Sequence, residues 1–293
     1  DDGLVPALLA QFAQGTGGGG GQTNGAAIAP GRGGDGIGGD GVAPNQADPT
    51  FTNGAFILAG GDRGNLTVTG SALLLATGTG GQGGPAVSLI NGGRGGDGFG
   101  GLAQAGLALL GFNGSVGQGT ATFGNLFARA NASGGQGGSS GLDFPTGDGG
   151  NATGGFAALT VRAGDMTAGE IELTANALGG EGALGGFGQG GDAAILGSLG
   201  GTLTASRAII LGQGTGGSSA FTRGGNGRGG NAVIEGVGST FTINGFVQLD
   251  ASATGGGGTD TAAGGSGTGG EAYITVSNAA TPGSLTITDH VQV

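Results

Sequence analysis

"NAVIEGVGSTFTINGFVQLDASATGG", residues 231–256, holds three short runs in which apolar and polar residues alternate, closed by a glycine pair. Alternation with period two is the signature of a strand with one buried face. Ala232 and Ile234 share a face in the first run, Phe241 and Ile243 in the second, and Val247, Leu249 and Ala251 in the third. The block returns as "DAAILGSLGGTLTASRAIILGQGTGG" (192–217) and "FAALTVRAGDMTAGEIELTANALGG" (156–180). Copies of the three runs begin near Ala55, Leu102, Ala157, Ala193, Ala232 and Ala272. Only the block of roughly 25 residues is constant, and the glycine-rich excursion after it varies, as expected when one supersecondary unit repeats.

One copy cannot enclose its own apolar face, so its neighbours must cover it. Three inward faces per turn predict an all-β fold: a triangular right-handed β-solenoid of about six coils. With a strand spacing near 4.8 Å, the stem would be about 29 Å long. Residues 15–293 read as one solenoid with insertions at 15–54, 77–101, 133–155, 178–191, 214–230 and 254–270. Residues 1–14 read as an end strand completing a neighbouring coil, because "ALLAQFAQGTGGGG" (7–20) matches the third run and glycine start of other copies.

Glycine fills the insertions, contributing 83 of 293 residues. Strict collagen is excluded by 7 prolines and by the lack of glycine at every third position throughout. GGX triplets recur in "TGTGGQGGPAVSLINGGRGGDGFGG" (77–101) and "SGGQGGSSGLDFPTGDGGNATGG" (133–155). An extended helix of the polyproline II type has three residues per turn and no internal hydrogen bonds, so such chains must bond to one another. Each excursion is predicted to leave the stem as one glycine helix and return as a second. The turns would lie at "PAVSLIN" (85–91) and "SSGLDFPT" (139–146), and successive excursions would stack beside the stem.

Composition narrows the functional classes. All 8 basic residues are arginine, against 19 acidic ones, giving a net charge of −11. Nucleic-acid recognition, which needs a basic footprint, is not expected. No apolar run approaches the roughly 18 residues of a membrane helix. The opening "DDGLVPALLAQFAQG" lacks the basic region of a signal peptide, so any targeting segment is expected to have been removed or to lie outside this chain. Cysteine is absent and His290 is the only histidine, which argues against His/Cys metal sites and a Ser-His-Asp triad, and no enzyme is expected. Calcium is the one cofactor to weigh. "GGDGIGGDGV" (33–42) resembles the β-roll signature, yet Gly38 stands where calcium would need an aspartate. Asp35, Asp40 and Asp97 therefore read as carboxylates among packing glycines, and no cofactor is predicted.

Three surfaces are candidates for function. The second run carries outward T-x-T pairs: Thr67 and Thr69, Thr120 and Thr122, Thr202 and Thr204, Thr240 and Thr242, Thr286 and Thr288, with Asp165 and Thr167 breaking the array. Threonine is also simply a good outward strand residue. The first run turns Ala158, Ala194, Val233 and Tyr273 outward, a face expected to meet the glycine bundle or a partner. The chain starts and stops inside a repeat, making Leu8, Phe12, Val291 and Val293 candidate assembly ends. Uncapped strand edges template further pairing, so continuation is expected, within a longer solenoid or head-to-tail.

The constant block resembles, over residues 55–293, the β-solenoid stems of large secreted bacterial surface proteins of the filamentous-haemagglutinin and autotransporter-adhesin type. The excursions look more like the glycine-helix bundles of snow-flea antifreeze proteins and some phage tail-fibre adhesins. The T-x-T pairs resemble the ice-binding face of antifreeze β-solenoids. These resemblances imply a non-enzymatic extracellular or cell-surface structural protein, a segment of a fibre or adhesin whose partner is itself. A module binding ice or glycan through the threonine ladder, or through loop tips near Leu89 and Phe144, is the alternative.

Overall fold

The computed structural model describes residues 3–5, 8–12, 14–19, 32, 36–37, 55–59, 65–84, 98–99, 102–107, 119–138, 147–259 and 263–293. These residues are all-β, with no helix among them, in four large sheets and one two-stranded sheet. Pairing is parallel in each sheet, and each large sheet adds its strands in chain order, one set per repeat.

The first runs form a six-stranded sheet of Ala55–Ala59, Leu102–Leu107, Phe156–Arg162, Asp192–Ser198, Asn231–Val237 and Glu271–Ser277. Its register keeps like with like, pairing Ala157 with Ala193, Ala193 with Ala232 and Ala232 with Ala272. The second and third runs share one sheet, through Asn65–Leu75, Thr120–Arg129, Asp165–Thr174 and Thr202–Leu211. Beyond these lie Thr240–Ile243 with Val247–Asp250, and then Ser284–Ile287 with Val291–Gln292 at one edge. Gly3–Val5 and Leu8–Phe12 pair with Asn65–Leu75 at the opposite edge.

Here the structure departs from the expected three separate strands per repeat. In four repeats the second and third runs are a single strand, of eleven residues in Asn65–Leu75 and ten in the other three. The alternation nevertheless changes phase inside it: Ala121 and Phe123 are buried, then Leu126 and Ala128, with Gly124 and Asn125 half-exposed between. Two inward faces therefore survive within one hydrogen-bonded strand. Glycine at the phase change allows close stacking, because a Cβ on Gly169 would lie inside contact distance of the Gly124 carbonyl. The fifth repeat places three residues, 244–246, where its neighbour has two, 206–207, and there the strand divides.

Inward residues of all three runs join one hydrophobic cluster. Leu159, Ile195 and Ile234 come from the first run, Phe123, Met166, Leu203 and Phe241 from the second, and Leu126, Ile171, Val247 and Leu249 from the third. Burying each large side chain contributes roughly 1.5–3 kcal/mol, so the apolar alternation supplies the main drive for the stack. Tight turns between first and second runs put Ala163, Leu199, Gly200 and Gly238 at positive φ, 51°, 54°, 79° and 62° respectively.

Beyond the third run the chain makes two-residue strands in two further six-stranded sheets. The outbound set is Gly15–Thr16, Gly78–Thr79, Ala132–Ser133, Ala177–Leu178, Gly214–Thr215 and Ala253–Thr254. The return set is Gly36–Ile37, Gly98–Phe99, Ala152–Thr153, Gly188–Gln189, Gly227–Arg228 and Gly267–Thr268. Gly182–Leu184 and Ser219–Arg223 pair where two successive excursions reverse. The expected turn centres at 85–91 and 139–146 lie outside the described residues.

Candidate functional site: glycine ladders, outward columns and open edges

Backbone amides of the outbound and return segments form one continuous zigzag. Gly150 donates to Gly135, Gly180 to Gly150, Gly186 to Gly180, Gly217 to Gly186, Gly225 to Gly217, Gly256 to Gly225 and Gly265 to Gly256, each at 2.8–2.9 Å. Outbound and return segments alternate along this path: among these residues each outbound arm donates to the return arm of the preceding repeat, and each return arm donates to the outbound arm of its own repeat. Other amides of the same arms donate straight to the following repeat, as Gly134 does to Leu178 and Gly179 to Thr215, each at 2.8 Å. A Cβ at Gly180, Gly217 or Gly256 would lie closer than 3.0 Å to the carbonyl oxygen of the preceding repeat's glycine, a separation real Cβ atoms do not show. Glycine is required here by proximity.

Asparagine fills gaps in the ladders. The Asn131 Oδ1 accepts the Asn176 amide, and the Asn176 Oδ1 accepts the Gln213 amide, both at 2.8 Å. Asn125 does the same for Glu170 and Asn151 for Phe187, both at 2.9 Å. Each side chain stands in for a carbonyl where the backbone turns away, and a buried amide left unpaired would cost about 1–3 kcal/mol. Ion pairs also join repeats, Arg129 with Glu172 at 2.9 Å and Arg207 with Glu170 at 2.6 Å. Both are partly exposed and contribute little to stability.

The threonine ladder differs from its expected form. Register aligns Thr67, Thr122, Thr167, Thr204, Thr242 and Thr286 in one unbroken outward column. Beside it run Asn65, Thr120, Asp165, Thr202, Thr240 and Ser284. Thr69 and Thr288 fall outside both columns, and Thr167 belongs to the array it was expected to interrupt. The inward apolar residues set the register, pairing Val68 with Phe123 and Phe241 with Leu285. Aligning on those residues instead of on the T-x-T string would have given the correct columns.

On the first-run sheet Ala158, Ala194, Val233 and Tyr273 do form one column. The first three are buried despite facing away from the core, and Tyr273 is 42% exposed. At the two sheet edges Leu8 pairs with Ser71 and Phe12 with Leu75, half-exposed outward positions. Leu9 and Gln11 instead take the register positions of the buried Ala72 and Leu74. Val291 and Val293 are exposed. Around them Ala272, Ile274, Leu285 and Ile287 pack against the core yet stay partly open. A groove of about 350 Å³ opens at this edge, lined by residues 248–252, Gly270, Ala272, Gln292 and Val293.

Asp250 sits on the groove wall. Its partial burial works to raise the carboxyl pKa, but hydrogen bonds from Ser252 and Gln213 outweigh it and hold the group below its ordinary value. Arg207 lies over the Phe246 ring at 5.8 Å, and His290 stacks on Phe246 with ring centroids 5.6 Å apart. His290 also contacts Asp289 at 3.0 Å. Among the described residues no three of His, Cys, Asp and Glu gather as a metal site, and no helix is long and apolar enough to cross a membrane. Asp35, Asp40 and Asp97 lie outside the described residues, as do Leu89 and Phe144. No protein-family model, curated protein or solved structure matches the chain.

Proposed function

We propose that the parallel sheets are the faces of a right-handed triangular β-solenoid. In this reading the glycine excursions are polyproline-II-type helices bundled beside it, and the protein is a non-enzymatic extracellular fibre or adhesin segment. The observation that carries the reading is the chain-order addition of strands in all four large sheets at once. A fold that adds equivalent strands along one axis has no intrinsic length, and its edges accept further strands. Half-open Ile274, Leu285 and Ile287 at one edge are the apolar surface such continuation would cover. The glycine zigzag gives the axis a second line of hydrogen bonds, which resists extension and bending in a filament. Electron microscopy of the purified chain over rising concentration tests this. Uniform filaments support the fibre, and discrete particles at every concentration refute it.

The six-threonine column favours a second reading, a flat face that orders water or a glycan. Thermal hysteresis of the native chain, lost in Thr167→Tyr and Thr204→Tyr, is its expected signature; no hysteresis in the native chain removes ice from consideration.

A further inference from the structure

Two Asn-Gly pairs lie among the described residues, Asn226–Gly227 in a return arm and Asn244–Gly245 between a second and a third run. Such a pair reacts with itself wherever the glycine nitrogen reaches the asparagine side-chain carbon, and the missing Cβ leaves that approach open. Packing dictates the glycine in both: a Cβ at Gly227 would meet the Thr254 carbonyl oxygen, and one at Gly245 the Ser206 carbonyl oxygen, each inside contact distance. The surroundings of the two asparagines are nevertheless opposite.

Asn226 is locked in place. Its Oδ1 accepts the Ser266 amide, the Ser266 hydroxyl and the Arg223 guanidinium, each at 3.0 Å. The Gly227 amide donates to the Ser266 carbonyl at 2.8 Å, and Gly227 is buried, paired with Gly188 on one side and Gly267 on the other. Asn244 is exposed, and among the described residues neither its side chain nor the Gly245 amide makes a hydrogen bond. The chain bends here because residues 244–246 stand opposite only 206–207. The bend is held at its ends, where the Asn244 amide donates to Ala205 at 2.8 Å and the Val247 amide to His290 at 3.0 Å.

We propose that Asn244 is a site of spontaneous deamidation, and that the fold protects Asn226 from the same reaction. The Gly245 nitrogen gives its proton to water and attacks the Asn244 Cγ. The N–Cγ bond forms, the Cγ–Nδ2 bond breaks, and ammonia leaves with a proton taken from solvent. Water then opens the succinimide at either carbonyl, giving aspartate when the side-chain carbonyl is attacked and isoaspartate when the main-chain carbonyl is attacked. The net change consumes one water, releases one ammonia and adds one negative charge. Isoaspartate also lengthens the main chain by one carbon, at a point where the strand is already divided, so Thr240–Ile243 and Val247–Asp250 keep their partners. The new carboxylate arises two residues before Phe246, the ring that Arg207 and His290 both contact. At Asn226 ring closure must first detach the Gly227 amide from Ser266 and turn the side chain away from its three donors. The site is independent of the fibre reading.

Mass spectrometry of peptides from the native chain, incubated at mildly alkaline pH and digested at intervals, tests the assignment. Asn244 should convert about ten-fold faster than Asn226 or more, because closure at Asn226 must first break hydrogen bonds, one of them from a charged group. Both aspartate and isoaspartate should appear at Asn244. In denaturant, where neither pair has partners, the two rates should converge. Equal rates in the folded chain, or a difference that persists undiminished in denaturant, overturn the proposal. So does an Asn244 that stays intact in the folded chain over a time in which it converts in denaturant.

Discussion

Gly180 illustrates what a single residue does in this molecule. Its amide donates to Gly150, its carbonyl accepts from Gly186, and its α-carbon faces the Gly135 carbonyl with no room for a methyl group. Gly180→Ala should therefore cost about 3 kcal/mol, at the upper end of ordinary overpacking, because the neighbour is fixed backbone and cannot repack. Gly257→Ala is the matched control: its nearest neighbour would be the Ser218 hydroxyl at 3.9 Å, and its stability should stay near that of the native chain. Denaturant midpoints of the two variants make the comparison. Leu199 presents the reverse case, an exposed non-glycine residue at φ 54°. The left-handed conformation costs a residue with a Cβ roughly 1–2 kcal/mol, and glycine's greater freedom in the unfolded chain offsets part of that. Leu199→Gly should raise stability by up to about 1 kcal/mol, read as a higher thermal midpoint.

Among the elements, ladders of side chains stabilise what the strands leave unpaired. Asn176→Ala deprives the Gln213 amide of its acceptor and should cost about 1–3 kcal/mol, with faster hydrogen exchange at Gln213 as the local readout. Asp250 adds a pH dependence. Its folded pKa is depressed, so its contribution is present above the ordinary aspartate range and is lost as the pH falls through the folded value. Acid unfolding of Asp250→Asn should accordingly start from a lower stability at neutral pH and show a shallower loss on acidification than the native chain. Element by element, the strands were legible where period-two alternation survives, as at Phe241, Ile243, Val247 and Leu249 in the second and third runs, whereas in the first run the outward Ala158, Ala194 and Val233 are buried as well. The fusion of second and third runs was not legible, since the phase change at Gly124 and Asn125 looks in sequence like a gap between strands. The candidate site was only partly readable. The T-x-T string extends to Thr69 and Thr288, while the register answers to Val68 and Leu285 on the other face. Asn131 and Asn176 carried no recognisable signal, because their role depends on which backbone amide the next repeat brings alongside.

For the whole molecule, stiffness should come from two parallel systems. The apolar strands are held by burial together with their parallel strand pairing, and the glycine segments by hydrogen bonds between backbones. Polarised chains of hydrogen bonds reinforce one another, which favours an unbroken zigzag over isolated pairs. Amide hydrogen exchange at Gly150, Gly180, Gly186 and Gly217, compared with Leu173 in the strand Asp165–Thr174, tests this account most directly. The account predicts that these glycine amides exchange as slowly as Leu173, as members of one cooperative unit. Exchange at the rate of open loops, with Leu173 still protected, would contradict it and leave the glycine segments without a structural role.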